Sequence, residues 1–299
     1  MKKKIGIIGG SSFLGTSLIN ELHKNNFRII QTFNEKKKYY NFCQNRYLNL
    51  NDKIIISKKL DKYFAKVNCL IYLSAVYPVT RVDFKSLNIN YLSVTKIANW
   101  CFKKKIKFIF LSTFSVYQFN KKKKQSEKDI IKKDLAGGFY AFQKYLSENY
   151  ILNLGRKGLK FLILRPSSIY GPSQKSDTLI SRIFSNIKKN KNVLIYKPLS
   201  IKFNIIHVND VSRAIIHLLN MKLQGIYNIG NYKSVSLKDM YIIMKKLKIR
   251  LILKERKKNN SEFIRNFINI DLSKLKKTKF KPIFSIQRHI ANIINPNAK

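Results

Sequence analysis

The 299-residue sequence predicts an α/β fold, a doubly wound parallel sheet followed by a smaller C-terminal part. Three observations carry this expectation. A buried-strand pattern at 4–8 runs directly into Gly9-Gly10-Ser11-Ser12-Phe13-Leu14-Gly15 and then into an amphipathic helical pattern ending near Asn25. Strand and helix patterns then alternate as far as residue 164. Two of those strands end in Ser74-Ala75 and Ser112-Thr113, at the C-terminal edge where ligands of such sheets sit.

The opening segment is the most specific. Strand, glycine turn and helix in immediate succession form the context in which a glycine-rich signature means dinucleotide binding. Gly9 permits the tight turn, Gly15 lets helix and strand approach, and amides at the helix N-terminus meet a pyrophosphate. Ser12 takes the place of a middle glycine, and its small side chain narrows the approach without closing it. The next strand, 27–33, ends on Phe33, where NAD-specific domains carry an acid for the ribose hydroxyls. Asn34, Glu35 and three lysines beginning at Lys36 follow. An aromatic in the acid position beside lysines favours a ribose 2′-phosphate, hence NADP; Glu35, displaced by two residues, keeps NAD as the alternative.

The alternation continues with a strand at 46–50, a helical stretch to about Tyr63, strands at 68–74 and 106–112, and a helix at 86–104 between them. A lysine-rich polar loop at 120–134 precedes a helical segment bearing Tyr140 and Lys144. Four residues apart, these side chains share one helix face. Tyrosine ionises near ~10, and a nearby ammonium favours its phenolate, giving a group able to move a proton on a sugar hydroxyl or ketone. A lone Tyr–Lys pair reads first as a solvated helix face; its weight comes from the flanking motifs. A strand at 159–164 then leads into Arg165-Pro166-Ser167-Ser168-Ile169-Tyr170-Gly171-Pro172, read as a rigid turn. Helices at 178–189, 210–220 and 236–247, the last capped by Ser236, alternate with strands at 203–208 and 225–229. The expected division is a nucleotide-binding part at 1–166, to which 203–220 returns, and a smaller substrate-binding part at 167–299.

Composition sets outer bounds. With 45% hydrophobic and 25% charged residues the chain suits one large globular unit or two packed domains. No apolar run approaches the roughly 20 residues of a membrane span, so membrane insertion is not expected. Cys43, Cys69 and Cys101 lack metal-ligand spacing and read as free thiols of a reducing cytoplasm; no metal site is expected. The net charge of +45 comes mainly from lysines spread over nearly every segment, which reads as biased composition on solvated surfaces rather than a nucleic-acid site.

Taken together, the motifs resemble the extended short-chain dehydrogenase/reductase family of NAD(P)-dependent nucleotide-sugar epimerases, dehydratases and reductases. The resemblance rests on GGSSFLG at 9–15, LSTFSVY at 111–117, YAFQK at 140–144, LRPSSIYGP at 164–172, IIHVNDVSRAI at 205–215, GIYNIGNYKSVSLKDM at 225–240, and the tail INIDLSKLKK followed by FKP. It implies a Rossmann-type sheet and a nucleotide-diphosphate sugar as the ligand. It further implies Tyr140 as acid/base, Lys144 as the group that lowers its pKa and holds the nicotinamide ribose, and Thr113 as a hydrogen-bonding partner of the reacting oxygen. Asn49, in place of the usual Asp, would touch adenine. Ser11, Phe13, Leu14, Leu50, Ser74, Ala75 and Pro166 complete the implied cofactor site, with Ser115, Ser168 and Lys202 on the substrate side. Phe203 occupies the position of an arginine that holds the diphosphate in many members, so Lys202 or another cation must substitute, or the diphosphate is held more weakly. Phe114-Ser115 replaces the acidic pair of sugar 4,6-dehydratases, and Ser115 replaces a cysteine of the GDP-fucose epimerase-reductases. What the resemblance leaves is 4-keto reduction, slightly favoured, or C4 epimerisation; a homodimer is compatible with either. A non-catalytic NAD(P)- or RNA-binding protein on the same fold is the alternative from another class, and it need not keep Thr113, Tyr140 and Lys144 together.

Overall fold

The computed structural model describes residues 3–34, 39–51, 56–77, 83–117, 124–129, 138–172, 174, 179–254 and 269–294. The first half alternates β1 (Lys4–Ile8), α1 (Phe13–Lys24), β2 (Arg28–Phe33), β3 (Gln44–Tyr47), α2 (Ile56–Phe64), β4 (Cys69–Tyr72), α3 (Phe84–Leu87), α4 (Ser93–Lys103), β5 (Lys107–Leu111), α5 (Gly138–Arg156) and β6 (Phe161–Pro166). Then come β7 (Ser168–Tyr170), α6 (Leu179–Lys188), β8 (Val193–Tyr196), β9 (Lys202–Phe203), β10 (Ile205–His207), α7 (Val208–Asn220), β11 (Gly225–Ile229), β12 (Val235–Ser236), α8 (Leu237–Lys246), β13 (Leu251–Lys254), α9 (Ser273–Lys277) and α10 (Ile286–Ile294).

Seven parallel strands form one sheet in the order β11-β6-β5-β4-β1-β2-β3. Its inner strands β1, β4, β5 and β6 are mostly apolar runs because both faces are covered, whereas the edge strand β3 is polar and largely exposed. Successive side chains point to opposite faces, and the two cores divide accordingly. Ile5, Ile7, Ile71, Ile109, Leu162 and Leu164 pack with α1 and α7, whereas Leu70, Tyr72, Phe108, Phe110 and Ile163 pack with α2, α4 and α5. A third core joins α6, α8 and α10 with Tyr170, Val193, Phe203 and Ile205.

The structure departs from the sequence reading in four places. The strand expected at 203–208 splits, and its second piece, β10, pairs with β7 outside the main sheet, so only α7 returns to pack against α1. Conversely β11, expected in the smaller part, pairs with β6 as the edge of the main sheet. Which strands neighbour one another is not encoded in local patterning, so neither placement was visible. The motif at 165–172 is therefore more than a turn, since Ser168–Tyr170 is a strand. Finally, the helix expected at 86–104 carries a five-residue π-helical insert, Asn88–Leu92, between α3 and α4. There the Tyr72 hydroxyl donates to the Ile89 carbonyl at 2.6 Å, taking an acceptor the helix would otherwise use.

Cys69 and Cys101 are buried and all three cysteines are free thiols. Among the described residues no helix is long and apolar enough to cross a membrane, and no cluster of His, Cys, Asp and Glu is arranged to hold a metal.

Candidate functional site

The glycine turn lies where β1 meets α1. Gly9 adopts φ +87°, and a Cβ built on it would stand 2.7 Å from the Ser74 Oγ and 2.8 Å from the Ser74 amide nitrogen. A Cβ on Gly15 would run into the carbonyl oxygens of Gly9 and Gly10. Gly9 is thus required by contact and by backbone angle, and Gly15 by contact alone. Ser12 caps α1, its Oγ accepting from Gly15 N at 3.0 Å, while its carbonyl accepts from Thr16 N at 2.9 Å. Ser11, Ser12 and Phe13 remain partly exposed at the helix N-terminus, with Leu14 buried behind them. This cradle of backbone, small side chains and helix amides fits the pyrophosphate of a dinucleotide.

At the end of β2 the Phe33 ring is buried and meets Tyr39 and Tyr47 edge-on at centroid distances of 5.1 and 6.1 Å. The position read as a missing ribose acid is therefore a packed aromatic cluster. Asn34 follows it, half-buried; Lys36 and Glu35 lie outside the described residues. The Asn49 side chain accepts from Asn51 N at 3.0 Å, and the Leu50 carbonyl accepts from Asn88 Nδ2 at 2.7 Å and Ser93 Oγ at 3.2 Å. Ala75 is exposed beside Ser74, and Pro166, buried, ends β6 opposite Ile229.

Tyr140 and Lys144 stand on α5, and Thr113 follows β5. Lys144 is 1% exposed, and its Nζ donates to the Leu111 carbonyl at 2.9 Å, two residues before Thr113. The same nitrogen lies 5.8 Å from the Tyr140 ring centroid and 4.6 Å from that of Phe110. Thr113 Oγ1 accepts from Ser115 N at 3.2 Å, so these two sequence-predicted residues share one turn. Burial pushes the Lys144 ammonium down to about 7, with the Glu148 carboxylate opposing. The Tyr140 hydroxyl is raised by burial and by Tyr77, so the lowering expected from the Tyr–Lys spacing is outweighed in this structure. The reason is distance and solvent: the lysine faces a carbonyl and an aromatic ring, and desolvation dominates both groups.

Behind this pair lies a network that motif reading passed over. Arg165 and Glu148, 3% and 1% exposed, form a buried ion pair through Nη2 at 2.5 Å and Nε at 3.0 Å. Arg165 Nη1 donates to the Tyr117 hydroxyl at 2.6 Å, which donates to Asn228 Oδ1 at 2.9 Å. A second set ties the β4 end to α5: the Asn90 side chain accepts from Val76 N at 2.9 Å and donates to Val76 O at 3.1 Å and to Gln143 Oε1 at 2.7 Å. Glu148, four residues beyond Lys144, had a legible helix-face signal; Asn90 and Asn228 had none.

The substrate-side residues are more dispersed. Ser168 is half-buried on β7, opposite Ile205. Lys202 is exposed on β9, opposite Ser236 in a two-stranded ribbon, whereas the Tyr140 group sits by the main sheet. Phe203, in the expected arginine position, is core.

A doubly wound sheet with a glycine cradle at β1 and a Tyr–Lys pair beside β5 has the architecture of the dinucleotide-binding folds. Residues 5–230 match the NAD dependent epimerase/dehydratase family, and the chain belongs to that family. A Methanocaldococcus jannaschii protein provisionally named UDP-glucose 4-epimerase is 26% identical over 306 residues, covering 97% of this chain and 96% of that protein. Among solved structures, the Thermotoga maritima UDP-glucose 4-epimerase with UDP-glucose superposes with a TM-score of 0.82 at 19% identity, over 97% of both chains. The Bacillus cereus UDP-glucuronic acid 4-epimerase with NAD gives 0.79 at 19% identity, over 99% of this chain and 100% of that one. Both superpositions show the Rossmann-type fold.

Proposed function

We propose that the protein epimerises a nucleotide-activated sugar at C4, with Tyr140 as the acid/base. The observation that carries this reading is Lys144, buried beside Tyr140 and held by the Leu111 carbonyl at 2.9 Å, just ahead of Thr113. A buried lysine fixed next to a tyrosine at a sheet's ligand-binding edge costs stability, and proton transfer on a substrate gives it a use.

A bound nicotinamide supplies the hydride acceptor and donor for such a reaction. Gly9, Ser11, Ser12, Phe13, Leu14 and Gly15 would hold its pyrophosphate, Asn34 and Asn49 with Leu50 its adenosine end, and Ser74, Ala75, Lys144 and Pro166 its nicotinamide end. Thr113 holds the reacting oxygen by a hydrogen bond. Tyr140 takes the proton from the C4 hydroxyl as a ketone forms and returns it to the oxygen once the opposite face has been reduced. The raised pKa keeps Tyr140 protonated when the ketone must be reduced, and a cationic Lys144 stabilises the phenolate in the other direction. Ser115, Ser168 and Lys202 would line the sugar-diphosphate side. The NAD of the B. cereus relative gives NAD first place. NADP and net 4-keto reduction form the second reading, favoured by the aromatic Phe33 where a ribose acid is usual.

Proton NMR of purified protein with NAD and UDP-glucose, UDP-N-acetylglucosamine or UDP-glucuronic acid tests this reading. Interconversion of C4 epimers without net loss of cofactor is expected. Consumption of NADPH on a 4-keto sugar, with no epimer formed, reassigns the protein to reduction, and turnover of neither overturns the proposal.

A further inference from the structure

One side chain beside Tyr140 has no part in the reaction above. Tyr77 closes the short segment after β4, and its ring meets that of Tyr140 edge-on, with centroids 4.9 Å apart and planes at 69°. It is nonetheless 56% exposed, while Tyr140 is half-buried. Other tyrosines are as exposed, Tyr39 and Tyr47 among them, but Tyr77 is the one of these whose ring abuts a candidate proton-transfer group.

The contact is built rather than incidental. Val76, the residue before Tyr77, has both backbone polar groups held by Asn90, which is 0% exposed. Asn90 also donates to Gln143, and Gln143 Nε2 donates to Ser86 Oγ at 3.2 Å. Ser147 Oγ donates to the Asn90 carbonyl at 2.7 Å. Gln143 and Ser147 lie on α5, in the same helix as Tyr140 and Lys144. Buried hydrogen bonds therefore fix the backbone bearing Tyr77 to the helix bearing Tyr140, and such fully partnered networks hold position rather than add affinity.

We propose that Tyr77 is the aromatic wall of the sugar subsite, the surface on which the apolar C–H face of the hexose stacks while its reacting oxygen reaches Tyr140. This rests on the reading of the site as a nucleotide-sugar site. With ring centroids 4.9 Å apart, Tyr77 adjoins the ring whose hydroxyl would meet the ligand. A pyranose alternates polar edges with apolar faces, which suits a tyrosine that offers a flat apolar body and a polar tip. Tyr77 is then a positioning residue that acts on the sugar and leaves nucleotide and cofactor untouched.

Calorimetric titration of wild type, Tyr77→Phe and Tyr77→Ala with UDP, NAD and the tightest-binding of UDP-glucose, UDP-N-acetylglucosamine and UDP-glucuronic acid separates these contributions. Tyr77→Ala is expected to weaken the sugar nucleotide about three- to tenfold, the range of a single aromatic contact, with UDP and NAD unchanged. Tyr77→Phe should stay within about twofold of wild type, because the ring remains. Unchanged sugar-nucleotide affinity in Tyr77→Ala, or equal losses for UDP and UDP-sugar, overturns the proposal. A wild type that binds UDP and NAD but no UDP-sugar overturns the nucleotide-sugar reading itself, and the wall with it.

Discussion

Helix α5 carries one buried cation and shields another, and the two are treated oppositely. Arg165 reaches α5 from β6 and finds Glu148 at 2.5 Å and Tyr117 at 2.6 Å. Burial works against its charge, but the carboxylate and hydroxyl outweigh it and hold the guanidinium above its ordinary value. Lys144, one turn before Glu148, finds a carbonyl oxygen and two rings, and burial pushes it down to about 7. A fully partnered buried charge is fixed and serves the fold. A half-partnered one is poised near neutrality, where a small change of surroundings moves its proton, and that suits chemistry.

The comparison is broken most sharply at the chemical side. Tyr140→Phe keeps the ring and removes the proton donor, so kcat should fall roughly 10²–10⁴-fold while the denaturation midpoint stays put. Lys144→Met should lose turnover as well and also weaken cofactor binding. A Tyr140→Phe protein retaining a tenth of its rate would mean that another group moves the proton.

Next in size is the structural side. Arg165→Met leaves Glu148 buried without its cation, which should cost about 3–5 kcal/mol in urea denaturation. Replacing both partners together, Arg165→Met with Glu148→Leu, should recover much of that loss, because the penalty comes from the orphaned charge. A single substitution that leaves stability unchanged would show that water reaches Glu148.

The smallest effect sharpens the contrast through pH. Between about 7 and the 10.5 of a free lysine, the unfolded chain keeps a proton that buried Lys144 has given up. Stability should therefore rise with pH in that window by about 1.4 kcal/mol per unit more in wild type than in Lys144→Met. Arg165→Met should leave that slope alone, since arginine stays charged throughout. Parallel wild-type and Lys144→Met profiles from pH 7 to 9 would mean that Lys144 holds its proton.

The parts legible in the sequence were those written locally. The glycine turn needs only a strand, its glycines and a helix in succession, and the contacts of Gly9 and Gly15 agree with the roles read for them. The Tyr140–Lys144 face follows from helix periodicity alone. Glu148 and Arg165 are 17 residues apart, Asn90 and Gln143 are 53, and Tyr117 and Asn228 are 111. Such pairings depend on which strands lie side by side, and patterning is silent on that order. The electrostatic balance was hidden for a related reason. Spacing said that a lysine stands near a tyrosine, but only packing told how little water reaches either.

Sheet order also bears on how the chain can be handled. A sequence-based boundary at 166 looks natural, since a proline-rich motif follows a finished strand. Cutting there would remove β11 and leave the backbone of Phe161–Pro166 bare along one side, over Leu162, Ile163 and Leu164, all 0% exposed. A bare apolar edge of this kind is a template for pairing with another copy. The family match runs to residue 230, one residue past that strand. A shortened version has to reach at least that far to cover β6, and further to cover β11 in turn. The Glu127 and Lys274 side chains meet the outward-facing Asn228 amide and Ile226 carbonyl of that new edge.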